Sequence, residues 1–330
     1  MPNTICVIGE GAFGTAIATL IANNGYKVNL WCHNPKNAES INLKQINQEF
    51  FPDKILNKNI YATTNLQEAL HEADFIFEAI PVKFLRSVFV QAQPFVNKNQ
   101  VWVILSKGIE QHSLLFPSQV LDDVFKFNVE KVVLAGPSFA KEIIEKKLTT
   151  VNLACSNLEI GYNVQRILDN QYFKTYAISD VIGAQICSAL KNVISLAIGI
   201  ADGANYGDNS KGFLLTLGLN EIKKIILHFN GSVDTINDLC GIGDLVISAF
   251  GDLGRNFKVG QMLGTGKNLQ AILQETNLIP ESANTLQSIN ELIKKEKLDL
   301  PFCEGIYKIV FEAKKVEDFF KEILKSKFDI

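Results

Sequence analysis

The stretch Ile5-Cys-Val-Ile-Gly-Glu-Gly-Ala-Phe-Gly-Thr-Ala sets Gly9, Gly11 and Gly14 at G-x-G-x-x-G spacing, directly after a β-branched run. Each glycine answers a different need. Gly9 permits the tight turn out of a strand, Gly11 leaves bare backbone for a pyrophosphate, and Gly14 lets helix and strand pack closely. The helix that begins there directs its partial positive end at the phosphates. The motif alone also fits a plain glycine-rich turn. Here a strand precedes it, an Ala-rich helix follows, and a second strand ends near Trp31. That context favours a nicotinamide-dinucleotide site.

The end of the second strand addresses the adenosine ribose, and an NAD-specific site usually places Asp or Glu there. This chain has Cys32, His33, Asn34 and, slightly later, Lys36. Without an acidic residue a 2′-phosphate meets no repulsion, so NADPH is the preferred cofactor, with NADH still open. His33 is either a cofactor contact or an ordinary surface residue.

The first half alternates short strands with helices. Thr4–Ile8, Lys27–Trp31, Phe75–Ala79, Val101–Leu105, Val132–Ala135 and Val151–Ala154 read as strands, with helical stretches such as Gly14–Asn24 and Leu66–Ala73 between them. Such alternation implies a parallel sheet covered by helices on both faces. After Asp180 the helical segments Gly183–Ile200, Gly212–Phe229, Phe257–Leu263, Asn268–Gln274, Thr285–Lys294 and Pro301–Phe311 take over. The expected fold is α/β: an N-terminal Rossmann-type doubly wound parallel sheet over residues 1–180, and an all-helical C-terminal domain over 181–330.

A formal net charge of -3 gives no electrostatic reason for nucleic acid or an anionic membrane as partner. The N-terminus has no basic segment ahead of an apolar core, so no signal peptide is expected. The most apolar stretch, Val193–Ala201, is about half the length of a membrane span, and Lys191 and Asn192 lie in the same helix. The six cysteines are scattered, without CxxC, as buried thiols in a reducing compartment are. The expectation is a cytoplasmic protein, not membrane-embedded and without a structural metal.

Further motifs follow in order: Ser106-Lys107-Gly108, Gly136-Pro137-Ser138-Phe139-Ala140-Lys-Glu142, Ala189-Leu190-Lys191-Asn192, Gly241-Ile-Gly-Asp244-Leu245 and Gly254-Arg255-Asn256. With the opening glycine segment they resemble bacterial NAD(P)-dependent glycerol-3-phosphate dehydrogenase from about residue 4 to Tyr307. The resemblance implies reversible hydride transfer between sn-glycerol 3-phosphate and dihydroxyacetone phosphate, feeding phospholipid synthesis, in a homodimer. It implies Lys191 as proton donor and acceptor, supported by Lys107 and Asp244. Substrate contacts would come from Lys107, Gly136, Ser138, Lys191, Asp244, Gly254, Arg255 and Asn256. Around the cofactor would lie Gly9, Gly11, Ala12, Phe13, Gly14, His33, Lys107, Ala140, Arg255, Ile279 and Glu281.

The residue chemistry is consistent with those roles. Lys191 shares a helix face with Ala184, Cys187, Ile194 and Ile198, and desolvation among apolar neighbours disfavours its charged form. The plainer alternative is a lysine that snorkels to water. Lys107 follows a strand at the ligand edge of the sheet, where a cation can polarise a carbonyl. Asp244 either orients Lys191 or caps the next helix. Arg255 opens a helix against its dipole, a local cost that an anionic ligand would offset. Gly136–Ala140 offers backbone N–H groups and a hydroxyl, or is only a tight turn.

Four positions depart from the family pattern: Ala12 and Gly254 lack the usual hydroxyls, Leu217 stands for an Arg, and Ser282 for a Gly. Two other functions fit the same plan. A dehydrogenase for a hydroxy acid or hydroxyacyl thioester would have no use for Arg255 and Asn256, and a non-catalytic dinucleotide sensor would have none for Lys107, Lys191 and Asp244.

Overall fold

The computed structural model describes residues 4–251, 254–276 and 281–325. The chain divides into two compact units, Met1–Lys107 with Pro117–Val181, and Gly108–Phe116 with Ile182–Ile330.

The first unit is built on one sheet of eight strands: β1 Thr4–Ile8, β2 Lys27–Trp31, β3 Ile60–Thr63, β4 Phe75–Glu78, β5 Val101–Ile104, β6 Glu130–Ala135, β7 Thr149–Ala154 and β8 Phe173–Ile178. Their order is β3-β2-β1-β4-β5-β6-β7-β8. β5 is buried along its whole length and β1 along all but Thr4, as strands covered on both faces must be. The order reverses between β1 and β4, and at such a switch point the carboxyl ends of the strands open a crevice. All pairings are parallel except β6 with β7, which is antiparallel. The sheet is thus parallel-dominated rather than wholly parallel.

Two strands, β3 and β8, escape the sequence reading. Both are edges, each with one neighbour. In β8 the buried Phe173 and Thr175 alternate with exposed Lys174 and Tyr176, a period-2 pattern too short and polar to stand out.

The second unit packs helices around Val181–Gly203, in which every residue from Gly183 to Ala201 is buried. This helix is longer than the apolar run suggests. By length and composition it could cross a membrane, but 89% of its most apolar window is covered by the protein itself. A helix apolar all round belongs either in lipid or in a protein core, and this one is in a core. Around it lie Gly207–His228, Asp244–Phe250, Arg255–Gly264, Glu281–Glu296 and Pro301–Phe311. Sequence periodicity anticipates most of these but not Asp244–Phe250, whose short span follows a wide turn at Leu239–Gly243.

Glycines bring two of these helices into backbone contact. A Cβ on Gly199 would lie 2.2 Å from the Phe257 carbonyl oxygen, and one on Gly203 would lie 2.0 Å from that of Gln261. From the other side, a Cβ on Gly260 would meet the Leu196 oxygen at 2.2 Å, and one on Gly264 the Ile200 oxygen at 2.3 Å. No side chain can yield at such contacts, because the opposing atoms are main chain. Gly260→Ala is therefore expected to push the helices apart and destabilise the protein by about 2 kcal/mol or more. Urea denaturation measures it, and a change below about 0.5 kcal/mol would show that the seam can open without cost.

Candidate functional site

In the first unit the glycine turn connects β1 to the helix Ala12–Asn23. Gly9 has φ +112, and a Cβ there would lie 2.7 Å from the Ala79 oxygen, just past β4. A Cβ on Gly14 would come within 2.0 Å of the Gly9 oxygen. Gly11 differs: a Cβ added there meets nothing within 4 Å. It is the N-cap of the helix, and no side chain caps that end. Bare backbone, open space and a helix N-terminus at the switch point suit an approaching pyrophosphate. Ala12 and Phe13 form the first turn, both half-buried.

The turn is pinned by residues that no local motif announces. Thr15 Oγ1 and Asn47 Nδ2 each donate to the Glu10 carbonyl at 2.8 Å, and both residues are fully buried. The Glu10 carboxylate accepts from the His33 N–H at 3.0 Å and the Asn34 N–H at 2.8 Å. His33 itself is exposed, its ring tilted towards Trp31.

Further along the same sheet edge, Ser106 donates to Glu78 Oε2 at 2.9 Å, and the Ile80 N–H donates to Oε1 at 2.6 Å. Glu78 is wholly buried, and desolvation pushes its carboxyl up to about 7 despite those donors. This bond ties the turn carrying the half-buried Lys107 to the end of β4. Gly136, after β6, has φ +144, and a Cβ there would lie 2.9 Å from the Val151 Cα. That approach of β7 is reason enough for a glycine. Ser138 donates to the Gly136 carbonyl at 2.8 Å, and Ala140 opens the short helix Ala140–Ile144.

In the second unit Lys191 is 6% and Asp244 1% exposed, with Nζ 2.5 Å from Oδ1. Lys191 does not snorkel to water. Asp244 is the first residue of its helix, beyond the Gly243 N-cap, and that helix has no side-chain cap. Of its two readings, the partner of Lys191 is the one observed. Lys191 also donates to Ser248 Oγ at 3.0 Å, while Ser195 Oγ donates to the Ser248 carbonyl at 2.6 Å. Ser248 is thus held from both sides by the central helix. Sequence reasoning missed it, because a serine inside an apolar helical run carries no signal of its own.

A second cluster forms beside Gly254. Arg255 lies 3.8 Å from Glu281 Oε1, Asn192 donates to Glu281 Oε2 at 3.4 Å, and the Ser282 N–H donates to Asn256 Oδ1 at 3.3 Å. Gly254 is the N-cap of Arg255–Gly264, and a Cβ there would lie 2.5 Å from the Ser248 oxygen. The backbone here leaves no room for a Cβ, which suits glycine. Leu217 is 1% exposed within the apolar core of this unit, so the missing Arg is replaced by packing. Ile279 lies outside the described residues. Lys191 with Asp244, and Arg255 and Asn256 with Glu281, are brought together within the second unit, whereas Lys107, Gly136 and Ser138 belong to the first.

An open sheet of this order with a glycine turn at its switch point defines the Rossmann-type dinucleotide-binding class. Two family models match, the NAD-dependent glycerol-3-phosphate dehydrogenase N-terminus over residues 4–161 and the C-terminus over 180–321. The chain belongs to the NAD-dependent glycerol-3-phosphate dehydrogenase family. It is 37% identical over 315 residues to a glycerol-3-phosphate dehydrogenase [NAD(P)+] of Bacillus subtilis (strain 168), covering 95% of this chain and 91% of that one. A solved glycerol-3-phosphate dehydrogenase from Coxiella burnetii superposes with TM-score 0.93 at 26% identity, over 98% of this chain and 99% of that one. The Plasmodium falciparum glycerol-3-phosphate dehydrogenase superposes with TM-score 0.92 at 23% identity, over 100% and 97% of the two chains, a likeness of fold alone.

Burial of Glu78 has a consequence for stability. A carboxyl raised from the ordinary 4.5 to about 7 keeps its proton in the folded state below about pH 7. Its contribution is fully present below 4.5 and is lost as pH rises through about 7, a change on the order of 3 kcal/mol. Glu78→Gln should therefore lose less stability than the parent between pH 5 and pH 8, measured by urea midpoints. Parallel pH profiles for the two proteins would show that Glu78 does not titrate in this range.

Proposed function

We propose that this chain reduces dihydroxyacetone phosphate to sn-glycerol 3-phosphate, reversibly, with residues 1–180 binding the dinucleotide and 181–330 the substrate. The observation that carries this reading is the buried Lys191–Asp244 pair with its 2.5 Å contact. A buried lysine in contact with a carboxylate and a hydroxyl has its Nζ held in one place and aimed. A bound nicotinamide dinucleotide supplies the hydride. Lys191 Nζ gives its proton to the C2 oxygen as negative charge develops there, and in the opposite direction takes it back from the alcohol. Asp244 and Ser248 both contact Nζ, so the nitrogen stays in place through the transfer.

Arg255, Asn256 and the uncapped N-terminus that begins at Gly254 form a phosphate-binding set. Glu281 balances the Arg255 charge until the anion arrives. The family resemblance also assigns Lys107, Gly136 and Ser138, all of the first unit, to the substrate. Gly9, Gly11, Ala12, Phe13, Gly14, His33 and Ala140 line the cofactor. For the two nicotinamide forms, the absence of Asp or Glu in Cys32–Asn34 speaks for NADPH, and the placement of the Glu10 carboxylate speaks for NADH. The second is the stronger consideration. We place the enzyme in the cytoplasm, as a homodimer, feeding phospholipid synthesis, and expect a two-chain mass by sedimentation.

The decisive assay is oxidation of NADH or NADPH on addition of dihydroxyacetone phosphate, which an unphosphorylated hydroxy-acid enzyme would not support. Lys191→Ala should lower kcat by about a hundredfold or more while dinucleotide binding is retained. Ser248→Ala should lower kcat less, by about tenfold, because the Asp244 contact to Nζ remains. Near-normal turnover in Lys191→Ala would assign the proton transfer elsewhere.

A further inference from the structure

The loop that follows β2 contains no acidic residue, yet a carboxylate stands there. It comes from Glu10, between the first two glycines of the turn. The Glu10 side chain reaches across to the end of β2 and accepts from the His33 and Asn34 N–H groups at 3.0 and 2.8 Å. Only 8% of the residue is exposed. Its backbone cannot drift, because its carbonyl receives the Thr15 and Asn47 donors, both at 2.8 Å. The carboxylate is therefore fixed, shielded and at the place where this fold addresses the adenosine ribose.

We propose that Glu10 is the specificity residue of the adenosine end and selects the dinucleotide without a 2′-phosphate, NAD(H) over NADP(H). The inference rests on the dinucleotide reading of the glycine turn, and three physical points support it. A carboxylate has about four acceptor positions, and two N–H donors leave room for ribose hydroxyls. A 2′-phosphate brings no hydroxyl at that carbon and up to two negative charges, which a shielded carboxylate repels more strongly than an exposed one would. The His33 and Asn34 N–H groups, the backbone donors a 2′-phosphate would otherwise recruit, are already engaged. Exposed His33 and Lys36 would attract a phosphate, but charges in open solvent are screened and count for less.

The test uses the purified full chain and two probes without a nicotinamide ring, ADP-ribose and 2′-phospho-ADP-ribose, with dissociation constants measured by calorimetry. The parent protein should bind ADP-ribose about tenfold tighter or more. Glu10→Ser, which removes the charge and frees both N–H groups, should bring the ratio to about one or invert it. Glu10→Gln retains the size of the side chain and one acceptor, should fold even where the serine variant does not, and should fall between the two. The ratio of kcat/KM for NADH over NADPH should move in the same order. Equal or tighter binding of the 2′-phosphorylated probe by the parent overturns the proposal, as does an unchanged ratio in a folded Glu10 variant. Failure of both probes to bind the parent would overturn the dinucleotide reading along with it.

Discussion

Backbone contact between the helices Val181–Gly203 and Arg255–Gly264 governs the chemistry available to the second unit. Side chains ordinarily hold helices 8–10 Å apart. Here Gly199, Gly203, Gly260 and Gly264 remove the spacers, and main-chain atoms of one helix lie against those of the other. The N-terminus bearing Arg255 and Asn256 is thereby held alongside the helix bearing Lys191 and Asn192. The same closeness recurs one step earlier in the chain, where Gly254 leaves no room for a Cβ beside the Ser248 oxygen. Ser195 and Lys191 then fasten Ser248 by its carbonyl and its hydroxyl. The candidate proton donor and phosphate-binding residues share one compact unit, in which glycines let two helices close together.

Buried carboxylates in this protein fall into two kinds, distinguished by what answers their charge. Asp244 meets a cation, and the pair neutralises itself at the cost of desolvating both members. Glu78 and Glu221 meet mainly N–H and O–H donors. Glu221 accepts from the Phe302 and Cys303 N–H groups at 2.6 and 2.9 Å, serving as a cap for Pro301–Phe311 from another helix. Dipoles compensate a buried charge incompletely, and desolvation pushes both glutamates up to about 7. Removing one partner of the first kind strands a charge; neutralising the second kind relieves one only above about pH 7. Opposite responses to the same Asp→Asn or Glu→Gln change follow from that difference.

Sequence reading recovers what is local. The turn at Gly9–Gly14, the central helix and the helix Pro301–Phe311 follow from spacing within a few residues, because a turn's dihedrals and a helix's face are set within a few residues. The edge strands β3 and β8 are lost because one neighbour demands little hydrophobicity. Ser248 and Asn47 are lost for another reason: their partners lie 57 and as many as 37 residues away. Nothing in a serine or asparagine side chain tells which distant carbonyl or amine it will meet. Leu217 shows the converse. A missing charge reads as a defect in a motif, but in the folded chain the position is core, where leucine needs no compensating partner.

The ribose-side acid makes the same point in a form that bears on function. A rule that looks for Asp or Glu at the end of β2 assumes that position along the chain stands in for position in space. In this fold the glycine turn and the β2 end are adjacent, and the Gly9 N–H bonds directly to the Trp31 carbonyl at 3.0 Å. A carboxylate on either segment can therefore fill one place. Cofactor choice responds to charge at that place, whichever segment delivers it. A chain can lose the acid from the second strand and retain the selectivity, provided the turn supplies it and the backbone beneath is anchored. Thr15 and Asn47 anchor the Glu10 carbonyl, and the His33 and Asn34 N–H groups hold its carboxylate.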